Sequence, residues 1–377
     1  MLAPSELTRI VQALDDAAAS GIPAALATVV AVAGSAYRRP GARLFVREDG
    51  VAAGGVSGGC LEADVVRKAR AAMLDRRAAV ISYDTTDDQD GSFGAGQGCQ
   101  GEILILVEPV GAERTSFHAA CLRDMQAARE ARVLALRFTG SAGDLGARAL
   151  FSSAGAILAG DVPGRPQVLA AHVAAVLQQR RGSVVSLDAG ESVDRLLLDY
   201  LAPAPRLFLV GAGPDSEPLA GCATALGYQV IVVDERPGTL GRRRFPRGTL
   251  TSSAPVDHVA RTYVDGHTAC VIATHNTAYD ARALRGLLPS PARYIGVLGP
   301  RKRAARLLQQ LGEGDAPRFF APIGLDIGGE TPEQIALAVL AEIQAVTLGR
   351  PGGFLRDRMA PIHDRAGELG DAGGVDA

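Results

Sequence analysis

Apolar positions recur along the chain with two periods, and each period predicts its own element. Over residues 5–20, Leu7, Ile10, Val11 and Leu14 share one face at helical spacing, with Ser5 placed to cap the start and Gly21 to end it. Residues 24–33 form instead a long run of β-branched residues and alanines, the pattern of a buried strand. Arg43–Arg47 alternates, and Glu48-Asp49-Gly50 supplies a hairpin turn behind it. A helical pattern over 61–74 and strand patterns over 79–83 and 102–107 follow. From about 113 to 200 the periods alternate: helix 114–130, strand 132–138, short strands within 147–158, helix 166–180 and strand 183–188. No motif in that stretch carries chemistry, so it reads as scaffold.

Pro203-Ala204-Pro205 makes a stiff boundary, after which strand and helix patterns alternate regularly. Strands are predicted at 207–210, 229–233, 269–274 and 293–298, separated by helix-length stretches, as in a doubly wound parallel sheet. Thr331-Pro332-Glu333-Gln334 places a cap, a proline at the first helical position and a capping-box glutamine in register. Ile335, Val339, Ile343 and Val346 continue that helix along one face, and Gly349 follows it. The expected fold is α/β: a C-terminal Rossmann-like doubly wound parallel sheet over 206–350, an α+β N-terminal domain over 1–202, and a tail over 351–377.

Composition narrows the classes. A chain of 377 residues with 47% hydrophobic and 21% charged residues is long enough for a large core and too apolar to be disordered. No apolar run reaches the ~20 residues of a membrane span, and the start lacks a signal peptide's basic and apolar regions. With a formal net charge of −2 there is no basic field for nucleic acid or anionic lipid, so a cytoplasmic protein is expected. The five cysteines, Cys60, Cys99, Cys121, Cys222 and Cys270, are widely spaced, against a disulfide framework or a structural zinc site. Neither Lys68 nor Lys302, the only lysines, follows a Walker A glycine run.

The candidate chemistry lies in loops. Gly211-Ala212-Gly213-Pro214-Asp215-Ser216 joins a strand to a helix as a dinucleotide-binding turn would, and Asp234 ends the next strand where a ribose-binding acid belongs. Pro214 removes an N–H there, and Asp215 and Glu217 put negative charge where pyrophosphate would sit. Thr274-His275-Asn276 and Gly299-Pro300-Arg301-Lys302-Arg303 follow two further strands, so Gly213, Asp234, His275, Asn276 and Arg301 are expected along one carboxyl edge. Cys60 follows Gly58 and Gly59 at a predicted helix start, a setting that favours thiolate and leaves room for a bulky ligand. Cys99 stands in a second glycine-rich loop, whereas Cys121, Cys222 and Cys270 fall within helix or strand patterns and read as core. The acidic stretch 84–91 lacks the first and last carboxylates of an EF-hand loop and is not read as a calcium site.

These segments, in order, resemble the xanthine dehydrogenase accessory factor family, XdhC/CoxI, over most of the chain. The resemblance rests on Arg39-Pro40-Gly41-Ala42, Ser57-Gly58-Gly59-Cys60-Leu61-Glu62 and Gly211-Ala212-Gly213-Pro214-Asp215. It continues through Thr274-His275-Asn276, Tyr294-Ile295-Gly296, Pro322-Ile323-Gly324-Leu325-Asp326-Ile327-Gly328 and Pro361-Ile362-His363. It implies a cofactor chaperone rather than a stand-alone enzyme: a protein that binds molybdenum cofactor (molybdopterin), assists its sulfuration and inserts it into a molybdenum hydroxylase of the xanthine or carbon monoxide dehydrogenase type. A cysteine desulfurase as a second partner and a homodimer are compatible with that role. The residues expected at the cofactor are Cys60 as key thiol, with Gly58, Gly59, Cys99, Gly211, Gly213, Asp234, His275, Asn276 and Arg301. The rival reading is an NAD(P)-dependent oxidoreductase that uses the Rossmann-like domain in the ordinary way.

Overall fold

The structure is a computed structural model that describes residues 4–34, 36–84, 101–140, 145–160, 166–188, 193–312 and 317–359. It divides into two compact units, one within Met1–Pro203 and one over Ala204–Met359. No helix among the described residues is long and apolar enough to cross a membrane.

The first unit is built from one pattern used twice. Helix α1 (Pro4–Ser20), strands β1 (Ala24–Gly34), β2 (Arg43–Arg47) and β3 (Ala52–Gly54), helix α2 (Glu62–Asp75), and strands β4 (Ala79–Asp84) and β5 (Gly101–Val110) form its first half. Helix α3 (Ala112–Ala127), strands β6 (Arg132–Arg137), β7 (Arg148–Phe151) and β8 (Ile157–Gly160), helix α4 (Pro166–Gln179), and strands β9 (Ser183–Asp188) and β10 (Val193–Leu201) form the second. Each half makes an antiparallel five-stranded sheet, in the orders β3-β2-β1-β5-β4 and β8-β7-β6-β10-β9, which are the same order. Helix α2 covers the first sheet with Val65, Ala69 and Ala72, and α4 covers the second with Leu169, Val173 and Val176. Helices α1 and α3 pack together in a shared core with Phe45, Leu134 and Leu150. The sequence pattern ends its last N-terminal strand at 188 and does not predict β10 separately.

In the second unit the parallel strands are β11 (Arg206–Val210), β12 (Gln229–Val233), β13 (Leu250–Ser252), β14 (Thr268–Ile272), β15 (Tyr294–Val297) and β16 (Phe319–Phe320). Helices α5 (Ser216–Ala225), α6 (Val256–Tyr263), α7 (Thr277–Leu287), α8 (Arg301–Leu311) and α9 (Pro332–Leu348) accompany them. The order β13-β12-β11-β14-β15-β16 is the Rossmann arrangement, and its direction reverses between β11 and β14. Side chains alternate across the sheet. Phe208, Val210, Ile231 and Ile272 face α6 and α7, whereas Leu207, Leu209, Val232 and Val271 face α5 and α9. Both faces are covered, which explains the unbroken apolar runs of β11, β12 and β14. Thr331 and Gln334 form the expected capping box on α9, and Gly349 ends it in the left-handed region at φ 62°.

Candidate functional site

Two loops hold the expected residues, one in each unit. In the first unit the chain leaves β3 at Gly54 and reaches α2 through 55–61. Glu62, the first residue of α2, turns its carboxylate back on this loop: Oε1 accepts from the N–H groups of Val56 (3.2 Å) and Ser57 (2.8 Å), and Oε2 from the Ser57 hydroxyl. Ser57 Oγ in turn accepts from the N–H groups of Gly59 (3.0 Å) and Leu61 (3.1 Å). Burial raises the Glu62 carboxyl, but these donors favour its ionised form and hold it below the ordinary carboxylate value. Cys60 precedes the N-cap residue Leu61, half-buried, its inner side packed on the core of the first sheet. Gly58 and Gly59 beside it are exposed, and Gly59 has φ 118°, which suits glycine. Tyr37, 67% exposed, lies against Gly58, where a Cβ would stand 3.4 Å from its ring. Arg38 donates to the buried Glu6 carboxylate at 3.2 Å. The sequence pattern gave no role to Glu62, Tyr37 or Arg38. Glu62 carries a visible signal, a serine five positions ahead of a helix-opening glutamate.

The second loop cluster lies at the switch point of the parallel sheet. Gly211 leaves β11 with φ 107°, and a Cβ there would stand 2.6 Å from Ala273 O at the end of β14. This glycine is required by the neighbouring strand, before any ligand is considered. At Gly213 a Cβ would meet only ordinary contacts, at 3.6 Å to Ala273 O and 4.0 Å to His275 Cδ2. Gly213 and His275 therefore adjoin. His275 is exposed and has φ 56°, and its Nε2 lies 3.1 Å from Asp215 Oδ2. Because a carboxylate only accepts, this nitrogen carries the proton. Glu217 accepts from Arg244 N–H at 3.1 Å and faces the Arg243 guanidinium at 3.8 Å. Arg243 Nε also reaches Ala212 O at 3.3 Å. The two acids at the start of α5 thus meet cationic or donor groups, a balance their sequence positions do not reveal.

A further acid of this cluster is Asp234. It ends β12 as predicted, but it is 0% exposed and its carboxylate is fully engaged. Its oxygens accept from Ala212 N–H (2.8 Å), Arg236 N–H (3.0 Å) and the Arg236 guanidinium at 2.9 and 2.6 Å. Four donors on two oxygens leave no lone pair for a ribose hydroxyl. Asp234 holds the glycine turn and fixes Arg236, whose side chain is 40% exposed and also donates to Thr274 O. That clamped guanidinium is the switch point's fixed positive group, and nothing in the sequence pattern singles it out. Asn276 is likewise committed, since its side chain caps α7 by accepting from Tyr279 N–H at 3.0 Å. Beneath, Asp280 is bonded to Thr274 and Arg303, and burial pushes its carboxyl upward. Arg301 is exposed at the start of α8, after the next strand outward.

Cys121 and Cys270 are buried, with both thiols pushed up by burial, and Cys222 is half-buried against the core. Cys99, residues 85–91 of the acidic stretch, Pro361-Ile362-His363 and the tail beyond 359 lie outside the described residues. Among the described residues no group of three or more His, Cys, Asp or Glu side chains could hold a metal ion.

Comparison with known proteins places this geometry in a family. Residues 17–84 match the model of the XdhC and CoxI family, and residues 207–343 match that of the XdhC Rossmann domain. A protein of Bacillus subtilis described as a probable xanthine dehydrogenase subunit is 34% identical over 323 residues, 85% of this chain and 92% of that protein. The molybdenum cofactor insertion chaperone PaoD of Escherichia coli is 24% identical over 341 residues, 88% of this chain and 86% of its own length. A crystal structure described as a xanthine dehydrogenase from Bacillus halodurans superposes with a TM-score of 0.73 at 28% identity, covering 90% of this chain and 96% of that one.

Proposed function

Because the chain belongs to the XdhC and CoxI family, we propose that it is an accessory protein of molybdenum enzymes that binds molybdenum cofactor as cargo, assists its sulfuration and inserts it into a molybdenum hydroxylase. The coarse part of this reading, an accessory role, is supported by the family and by the relatives' names, one a cofactor insertion chaperone and the other part of a xanthine dehydrogenase. The observation that carries the finer part is the Cys60 loop. The amides on either side of Cys60 are already bonded within the loop, and the glycines beside it are exposed, so the thiol is the reactive group left for a ligand. A thiolate suits a soft metal-dithiolene centre or a sulfur in transit.

In the second unit the residues present suit an anionic group of a bound molecule. Arg236 offers a positioned guanidinium, and Arg301 an exposed cation at the same carboxyl edge. The saturation of Asp234 removes the hydroxyl contact that an ordinary dinucleotide site would use. The partner is a hydroxylase of the xanthine or carbon monoxide dehydrogenase type, with a cysteine desulfurase as sulfur source.

Side-by-side titration with molybdenum cofactor and with NAD(P)H tests the cargo. Pterin fluorescence and molybdenum that co-purify with the protein support the reading, and NAD(P)H binding without pterin binding overturns it. The role of Cys60 is tested by a paired measurement on Cys60→Ser. The serine is nearly isosteric, so the melting temperature is expected to change little, whereas activation of a cofactor-free hydroxylase is expected to fail. Full activation by the serine variant refutes the assignment.

A further inference from the structure

The two halves of the first unit share one strand order and several equivalent contacts. Gly54 ends β3 with φ 87°, and a Cβ there would overlap Arg43 O and press on Ile10 of α1. Gly160 ends β8 with φ 83°, and a Cβ there would overlap Arg148 O and press on Phe117 of α3. Arg43 donates to Gly41 O (2.8 Å) and pairs with Asp199 of β10 (2.8 Å). Arg148 donates to Gly146 O (3.0 Å) and pairs with Glu108 of β5 (2.6 Å). Equivalent arginines thus reach equivalent acids across the two halves, as in an isologous contact. Up to Gly54 and Gly160 the correspondence is close.

Beyond those glycines the two sequences differ. Residues 161–165 of the second half lie outside the described residues, and α4 is described from Pro166. The first half uses 55–61, adds Gly55, Gly58, Gly59 and Cys60, and ties them with Ser57 and Glu62. Both helices then cover their sheets in the same way.

We propose that Ser57 and Glu62 are positioning residues for Cys60: they tie down the amides on both sides of it so that the thiol is held half-buried at the exposed glycine edge. The proposal rests on Cys60 being the thiol that handles cargo. The ionised Glu62 takes two backbone donors and the Ser57 hydroxyl, which leaves the Ser57 oxygen to accept from Gly59 and Leu61. Loss of either side chain frees the loop without touching the thiol itself.

The experiment is the alkylation rate of Cys60 by iodoacetamide in the full chain, followed by peptide mass mapping so that the other cysteines do not contribute. Melting temperature and hydroxylase activation are measured on the same samples. In Glu62→Ala and Ser57→Ala the half-buried thiol is expected to become about tenfold more reactive, since the hydrogen bonds that keep the loop closed are gone. Activation is expected to fall with it, and Ser57→Thr, which keeps the hydroxyl, is expected to restore the wild-type rate. A lowered melting temperature with an unchanged Cys60 rate would make the pair merely structural and overturn the proposal. Glu62→Gln, which keeps the chain length and one acceptor, replaces Glu62→Ala if that variant does not fold. An altered rate with normal activation leaves the positioning role standing and counts instead against Cys60 as the cargo thiol.

Discussion

At Asp234 burial and hydrogen bonding pull in opposite directions. Removal from water raises the carboxyl, while the Arg236 guanidinium and the Ala212 and Arg236 N–H groups favour its charged form and hold it below its ordinary value of 3.8. A folded-state pKa below the unfolded one contributes stability that is present above the ordinary value and is lost as pH falls through the lowered one. The urea midpoint is therefore expected to drop as pH falls below about 5 and on through the lowered pKa, and to drop less in Asp234→Asn. At neutral pH that substitution is expected to cost about 1–3 kcal/mol, because an amide cannot accept from all four donors. The glycines make a second contrast. Gly211→Ala forces a left-handed residue against Ala273 O at 2.6 Å and is expected to cost about 2–5 kcal/mol in chemical denaturation. Gly213→Ala meets nothing nearer than 3.6 Å and is expected to cost under about 1 kcal/mol. If the two cost the same, the close approach at Gly211 is not what requires glycine there. The sequence marks both glycines alike, since the atom that separates them belongs to another strand.

Among the elements, legibility follows how local the signal is. Helix α9 is announced by Thr331, Pro332 and Gln334, all within one turn, and the structure forms that cap. Thr331→Ala is expected to lower stability by about 1 kcal/mol, seen as a small downward shift in melting temperature; no shift would mean the cap is replaced by water. Strands β11, β12 and β14 are legible because burial on both faces leaves four consecutive apolar residues in each after its first position. Strand β10 is less so. Asp194 and Asp199 interrupt its apolar run and read as surface residues, yet both are buried, paired with Arg137 at 2.5 Å and Arg43 at 2.8 Å. The second of those partners lies 156 residues away in the chain. Strands β13 and β16, of three and two residues, are too short to show any period.

For the molecule as a whole, the repeat within the first unit carries the main energetic prediction. The Arg43–Asp199 and Arg148–Glu108 pairs bury all four side chains, so removing one partner strands a charge away from water. Asp199→Asn and Glu108→Gln are each expected to cost about 3–5 kcal/mol in urea unfolding, and to cost similar amounts because their sites are equivalent. A cost near zero for either would show that the charge finds water and that the halves are not held by it. The repeat leaves short traces in the sequence. Gly41-Ala42-Arg43 returns as Gly146-Ala147-Arg148, and Val80-Ile81-Ser82-Tyr83-Asp84 returns as Val184-Val185-Ser186-Leu187-Asp188. From its residues alone the chain determined its longer helices and most of its strands, its Rossmann alternation and the loops that hold Cys60, Gly213 and His275, because these depend on periodicity and on glycine, proline and cap residues a few positions apart. Only the tertiary structure decided which acids are spent on distant partners, as Asp199 is on Arg43 and Glu108 is on Arg148. Those outcomes depend on distances between residues remote in sequence, and hydrogen-bonding capacity is used up only when the partners meet in space.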